Sequence, residues 1–498
     1  MMAVKAGALK DDAAKWNSID WNEAQRQVRR LQVRIAKAVK DNRWNKVKVL
    51  QYLLTHSFYA KLLAVKRVTS NKGKNTPGVD GVLWKDARAK GRAACSLRRR
   101  GYHPQPLRRI YIPKKNGKLR PLSIPCMYDR AQQALYKLAL APVAETTADK
   151  NSYGFREGRS CADAIAAGFN ALSHPNSASW ILEGDIKGCF DNISFQWMLE
   201  NIPMDKLVLH KWLRAGYVEN GIQYPTRKGV PQGGIISPTL SNLVLDGLEN
   251  AVRCAVPRQS RINFIRYADD FIITGKSKTI LEDAVRPVVE GFLAERGLSL
   301  SPEKTLVTHI TAGFTFLGQT FCKHGRVLHI TPSDQGVLAL EQKTGTLIRK
   351  HVSAPMPVLI KELNQVLRGW ANYHCHVVAS AAFKRIDNYV FEHLWRMLRR
   401  RHPHKSTKWL IKHYWSATGH KAVFAVTAMT TKGTAKIYHL IRSKSIGIRR
   451  HVKIRAAANP YMPEDAAYFA RRRHNKESKM ISDVRVRNLR TKIDAIRK

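Results

Sequence analysis

The chain has 498 residues, 44% of them hydrophobic, which is enough for two to four domains with real cores. It carries 86 Lys plus Arg against 37 Asp plus Glu, a formal net charge of +49 and a pI near 10.4. Such an excess makes an isolated globule self-repelling and calls for a polyanionic partner, RNA or DNA. A membrane protein is excluded as a reading, since no apolar run reaches transmembrane length and the opening MMAVKAGALKDDAAKW lacks the apolar core of a signal peptide. Seven scattered cysteines with no Cys-x-x-Cys pair argue against a disulfide framework or structural zinc and fit a reducing cytoplasm.

Residues 16 to 68 place apolar and basic positions at helical spacing (VRRLQVRIAKAVK, then VKVLQYLLTHSFYAKLLAVKRV), which predicts two amphipathic helices with basic outer faces. SNKGKNTPGVDG at 70–81 is loop by composition, and RRIYIPKKNGKLRPLSIP after it reads as a basic hairpin turning at Asn116-Gly117. Helix returns over 127–170. SWILEGDIKGCFDNIS (179–194) reads as a strand ending in acids, with a helix starting near Ser194. KGVPQGGIISPTLSNLVLDGLENAV is a glycine- and proline-rich loop running into a helix. In INFIRYADDFIITG (262–275), two β-prone runs flank Ala-Asp-Asp and predict a hairpin with a tight turn. A helix follows at about 279–296, then the strand-like runs LSLSPEKTLVTHI and FTFLGQTF. From about 335 onward the pattern is mainly helical and basic, and residues 391–498 hold 27 Lys plus Arg against 6 Asp plus Glu. The clusters HCH (374–376) and HPH (402–404) have no obvious partners, and read as surface, packing or phosphate-contacting residues instead of metal ligands.

The chemistry lies in the acids. Asp is ordinary turn chemistry, so Asp269 and Asp270 alone decide little. A second acidic strand end, EGDIKGCFD, adds Asp185. If both elements share one antiparallel sheet, the three carboxylates converge at its edge and offer the hard oxygen ligands that Mg²⁺ takes; two such ions can serve an in-line phosphoryl displacement. Lys114, Lys115, Lys118 and Arg120 on the basic hairpin could grip a triphosphate. A P-loop is ruled out: Gly275-Lys276-Ser277 has the right ending, but Asp270 sits where the motif needs its first glycine.

In order along the chain, NTPGVDG, YIPKKNGKLRPLSIP, SYGFREGRS, DIKGCFDNI, GVPQGGIISPTLSN, RYADDFII, LSPEKT, FTFLGQTF and LNQVLRGWANYH resemble the reverse transcriptases, and among them the group II intron-encoded reverse transcriptase/maturases. The resemblance runs from about residue 70 to 455. It implies an α+β right-hand polymerase with fingers, a palm built on an antiparallel sheet and a helical thumb. The expected segments are an N-terminal helical extension (1–69), fingers and palm (70–335), the thumb or maturase domain X (336–435) and a basic C-terminal nucleic-acid-binding region (436–498).

Carried over residue by residue, the resemblance makes Asp185, Asp269 and Asp270 the ligands of two Mg²⁺ ions. Phe190 becomes the steric gate against a ribose 2′-hydroxyl, Gln232 with Gly233 packs beside the incoming nucleotide, and Lys304 meets the leaving pyrophosphate. Lys118 and Arg120 hold the triphosphate, FLGQTF (316–321) is the primer grip, and Asp191 has a structural role. The implied partners are dNTPs, an RNA template with a DNA primer, target DNA and the intron RNA itself, with no membrane, in the cytoplasm of a bacterium and on its nucleoid.

Two features depart from the family pattern. Many relatives carry a C-terminal HNH nuclease with two cysteine pairs, whereas no cysteine follows Cys375; the nuclease is therefore expected to be absent, and priming to come from a pre-existing 3′ end. Glu157 in FREGRS stands where relatives usually have proline. Two rival readings are a reverse transcriptase domesticated for defence or repair, and a polymerase-dead splicing factor. An intact Asp triad with Gln232 and Lys304 argues against the second.

Overall fold

Asp20 starts the first long helix, Trp21–Lys40, by accepting the backbone N–H groups of Asn22 and Glu23 at 2.8 and 3.1 Å, which satisfies donors that a helix start leaves orphaned. The next predicted helix is two, Trp44–His56 and Phe58–Ser70. Ser57 between them is extended (φ −64°, ψ 129°) and its N–H turns back to the Leu54 carbonyl; serine readily takes such a cap, and the apolar spacing does not show it. Buried Ile35, Val39, Leu50, Leu54, Val65 and Val68 pack with Met127, Ala131, Leu135 and Val143 of the helix Met127–Thr147.

The computed structural model describes residues 11–113, 117, 119–415, 423–429 and 433–475. Its chain divides into two compact units, the first drawn from residues up to 164, from 181–307 and from 454–473, the second from 165–180 and 308–453. The segment expected as one basic region from 436 is thus split between them.

In the first unit the basic hairpin pairs Leu107–Pro113 with Leu119–Ile124 in antiparallel register, Ile112 opposite Arg120. Its turn residues Lys114, Lys115, Asn116 and Lys118 lie outside the described residues. The helix region expected over 127–170 is two helices, Met127–Thr147 and Cys161–Leu172, separated by the glycine-bearing loop that holds SYGFREGRS. A second sheet has the strand order Asn263–Tyr267, Asp270–Gly275, Trp180–Asp185, Leu306–His309. Phe264 and Ile265, Phe271 and Ile272, and Ile181 and Leu182 are adjacent pairs, all buried, so these strands are covered on both faces.

The second unit is built on four helices, Asp334–Lys350, Met356–His374, Ser380–Arg401 and Thr407–Trp415. Apolar residues four apart (Leu359, Leu363, Leu367; Ile386, Val390, Leu394) supply its core. Not all of this region is helical: Ala425–Met429 and Ala435–His439 pair antiparallel, Val426 opposite Tyr438 and Thr427 opposite Ile437. Their β-branched and aromatic residues favour a pleated surface over a helix. Among the described residues no helix is long and apolar enough to cross a membrane.

Candidate active site

The Ala268-Asp269 pair forms a two-residue turn, since Tyr267 pairs with Asp270 across the hairpin. Ala268 takes a left-handed conformation (φ 60°), which costs an alanine about 1 kcal/mol and needs support from its surroundings. Two neighbours supply it. Gly154 lies so close that a Cβ there would stand 2.3 Å from the Ala268 nitrogen, and the wholly buried Arg266 donates from Nη1 to the Ala268 carbonyl at 3.4 Å. Arg266 is itself held by Asp246 at 2.5 Å and by Asn242 at 3.3 Å. Nothing in the apolar run INFIRY marks that arginine as buried, and its role as a brace was missed from sequence.

Asp185 ends the strand adjacent to Asp270–Gly275, and the backbone beside it is fixed by Ser301 N–H donating to the Asp185 carbonyl at 2.8 Å. That bond brings in the loop that carries Lys304, whose Nζ donates to Asp185 Oδ2 at 2.8 Å. Sequence placed Asp185 and Lys304 over a hundred positions apart; the sheet joins them.

The Asp269 and Asp270 carboxyls are both destabilised as anions. Asp269 is held above the usual carboxylate range by desolvation and by the Asp185 charge, with Arg120 and Lys304 pulling the other way. Asp270 is exposed as a residue, yet its carboxyl is pushed up to about 6 by desolvation, then by Asp269 and Asp185. The cations that oppose this, Arg120 and Lys304, are both exposed and screened by water. Asp185, Asp269 and Asp270 form a hard-oxygen donor set under repulsion, which fits a divalent cation.

The remaining expected residues form a second cluster. Arg120 Nε donates to Gln232 Oε1 at 2.6 Å, and Gln232 Nε2 donates to both Asp191 oxygens at 3.2 Å. The Gln232 carbonyl also accepts Ser123 N–H at 2.7 Å, tying the PQGG loop to the basic hairpin. Gly233 has φ 121°, and a Cβ there would meet the Ser123 carbonyl at 2.5 Å, so only glycine fits. Phe190 is half-buried and its carbonyl accepts Val230 N–H. Asp191 thus fixes a side chain of the candidate site, a contact that its position in DIKGCFDNI does not disclose. Lys118 lies outside the described residues.

The chain matches the family model "Reverse transcriptase (RNA-dependent DNA polymerase)" over residues 112–321, that of the N-terminal domain of reverse transcriptase over 16–97, and that of the group II intron maturase-specific domain over 337–415. Protein YkfC of Escherichia coli is 33% identical over 300 residues, 52% of this chain and 79% of its own length. The chain belongs to the group II intron-encoded reverse transcriptase/maturases. These are RNA-directed DNA polymerases of the α+β right-hand fold, joined to a domain that serves intron splicing. Group II intron-encoded protein LtrA of Lactococcus lactis is 30% identical over 343 residues, 54% of this chain and 56% of LtrA, so the chain spans about half the length of that relative. A telomerase structure from Candida albicans matches 63% of this chain and 64% of its own at 13% identity and a TM-score of 0.37, too loosely to carry weight.

Within the maturase-specific match, LNQVLRGWANYH is a helix with two faces. Leu363, Leu367, Ala371 and His374 are buried, while Gln365, Arg368 and Asn372 are exposed, with Lys361 a turn before them. Burial pushes the His374 imidazole down to about 4, and it hydrogen-bonds Gln319 at 2.9 Å. Its role in this unit is packing. Among the described residues no group of three or more His, Cys, Asp or Glu stands close enough to hold a metal ion as it is arranged, so the three aspartates would have to draw together around one.

Proposed function

We propose that this reverse transcriptase extends a DNA primer on an RNA template, with Asp185, Asp269 and Asp270 holding two Mg²⁺ ions. When bound, those ions would neutralise charge on the attacking and leaving oxygens. The primer 3′-oxygen attacks the α-phosphorus of the dNTP, and the bond to pyrophosphate breaks. Arg120, anchored through Gln232, clamps the triphosphate together with Lys118. Gln232 and Gly233 keep the backbone close beside the incoming nucleotide, and Phe190 excludes a 2′-hydroxyl. Lys304, held at Asp185, presents its ammonium to the departing pyrophosphate.

The observation that carries this reading is the set of three carboxylates on adjacent strand ends whose charge no buried cation balances among the described residues. The exposed Lys361, Gln365 and Arg368 face and the net charge of +49 support binding of the intron RNA as a splicing cofactor, and of target DNA during retromobility. A cytoplasmic protein held on the bacterial nucleoid by the same charge completes the reading.

The test is dNTP incorporation on an RNA template annealed to a DNA primer, with Mg²⁺ or chelator. Metal-dependent extension that is lost in Asp269→Ala/Asp270→Ala is the expected result. Tight, salt-sensitive RNA binding with no extension would leave a splicing factor without polymerase activity.

A further inference from the structure

Residues 454–472 pass along the first unit and are clasped there by buried partners. The carboxylate of Asp163, wholly buried, accepts the Ile454 N–H and an Arg472 Nη2 proton, each at 2.7 Å. Between these ends, Arg159 donates to the carbonyls of Ala456 and Ala458 at 3.1 and 3.4 Å. Asn459 donates to Thr146 Oγ1 at 3.0 Å. Tyr461 is buried, with its hydroxyl bonded to Glu157 and the Arg29 guanidinium 4.7 Å over its ring. Phe469 lies against Gly158, where a Cβ would stand 2.9 Å from its ring.

All of these holds but Arg29 and Thr146 fall on residues 156–163, the end of the loop and the first turn of the helix Cys161–Leu172. The loop's other end is the support of the catalytic turn. Tyr153 N–H donates to the Arg266 carbonyl at 2.8 Å, Arg266 N–H donates to the Asn151 carbonyl at 3.0 Å, and Gly154 abuts Ala268. Glu157, which departs from the family pattern, is the residue that Tyr461 reaches. Residues 454–472 also lie beyond the three family-model matches.

We propose that residues 454–472 are a strap that positions the Ala268-Asp269 turn, acting through residues 151–163, with Asp163, Arg472, Tyr461 and Phe469 as positioning residues. A basic segment here would otherwise serve nucleic acid, and its arginines discriminate the two roles. Arg472 is turned in to Asp163 with its side chain 22% exposed, while Arg471 and Arg473 on either side are exposed. Arg472 is therefore committed to Asp163, while Arg471 and Arg473 are left to serve as the charge control.

The inference rests on the reading of Asp269 and Asp270 as polymerase carboxylates. It is tested in the full-length chain with Arg472→Ala, Tyr461→Phe and Phe469→Ala, and with Arg471→Ala/Arg473→Ala as the control for charge. Primer extension is measured at a temperature where melting curves show every variant folded, and hydrogen exchange is followed over 151–158 and 264–271. The strap predicts that Arg472→Ala lowers kcat about tenfold, leaves the salt slope of RNA binding near that of wild type, and loosens both segments. Tyr461→Phe and Phe469→Ala should follow it more weakly, Arg472→Lys should restore most of the loss, and the control should leave kcat unchanged.

Equal losses of RNA affinity and salt slope in Arg472→Ala and the control, with kcat and exchange unmoved, would overturn the strap in favour of a nucleic-acid tail. A drop in melting temperature alone, with kcat and exchange at 264–271 unmoved, would overturn it in favour of simple packing. Exchange is read whether or not wild type extends a primer, so failure of the polymerase reading does not hide the answer on the strap.

Discussion

Two groups of carboxylates lie within the same unit and meet opposite fates. Asp246 and Asp149 are buried around Arg266, whose guanidinium stands 2.5 Å from one and 4.0 Å from the other; Glu145 is likewise held between Arg156 and Arg159 at 2.7 and 3.1 Å. Among the described residues, the cations set against Asp185, Asp269 and Asp270 are Arg120 and Lys304, both exposed. Desolvation raises the carboxyls of Asp149 and Asp246 as well as those of Asp269 and Asp270, so desolvation alone does not mark a site. The difference is a fixed, buried counter-charge: where the fold supplies one the acids hold structure together, and where it withholds one they are left to bind something positive.

The largest effect that would break this comparison is on catalysis. Asp269→Asn should lower primer extension by ~10³-fold or more while leaving the melting temperature unchanged or raised, because it removes repulsion and keeps a side-chain oxygen to accept the backbone N–H. Steady-state extension and a thermal melt on the same preparation check both halves. A marked fall in melting temperature would place Asp269 among the structural acids.

Arg266→Met is the converse. It strands Asp246 and Asp149 and should cost about 3–5 kcal/mol of stability, read as a lower midpoint in denaturant. A midpoint at the wild-type value would mean that the buried pairs are not what distinguishes the two groups.

His374 shows a third solution, a buried group kept neutral. Its folded-state pKa of about 4 lies below the ordinary 6.5. The unfolded chain therefore takes up a proton first as the pH falls. The stabilisation is complete above about 6.5 and is lost as the pH drops toward 4, by on the order of 3 kcal/mol in all. Melting at pH 7.5 and pH 5 should show a larger acid loss in wild type than in His374→Asn, and equal losses would remove His374 from the comparison.

The smallest effect concerns the exposed cation. Arg120→Ala should raise KM for dNTP about tenfold, the weight of one or two hydrogen bonds to a charged group, and change kcat little. A fall in kcat with KM unchanged would move Arg120 from binding to the transition state.

How far the sequence reveals this depends on the kind of contact. The RYADDFII hairpin and the strand ending at Asp185 are legible because short continuous β-prone apolar runs and turn residues are local signals. The family resemblance supplied Gln232 and Lys304, and the fold then brought Lys304 to Asp185 and Gln232 between Arg120 and Asp191. The break at Ser57 and the sheet at 425–439 were hidden by apolar spacing that suits a helix equally well. The docking of 454–472 was hidden for another reason. Its contacts are single polar groups and a few isolated apolar and aromatic side chains, meeting partners such as Asp163 and Arg29 some 290 to 430 positions away, and no periodicity records such pairings.

The most direct measurement of the central claim is Mn²⁺ binding, followed by the loss of free-ion electron paramagnetic resonance signal in wild type and in Asp185→Asn/Asp269→Asn, without nucleic acid or dNTP. If the unbalanced carboxylates are a cation site, wild type binds the ion and the double variant, folded to the same melting temperature or higher, does not. Equal binding by both proteins would contradict the account, because the repulsion among Asp185, Asp269 and Asp270 would then have no bound cation to relieve it.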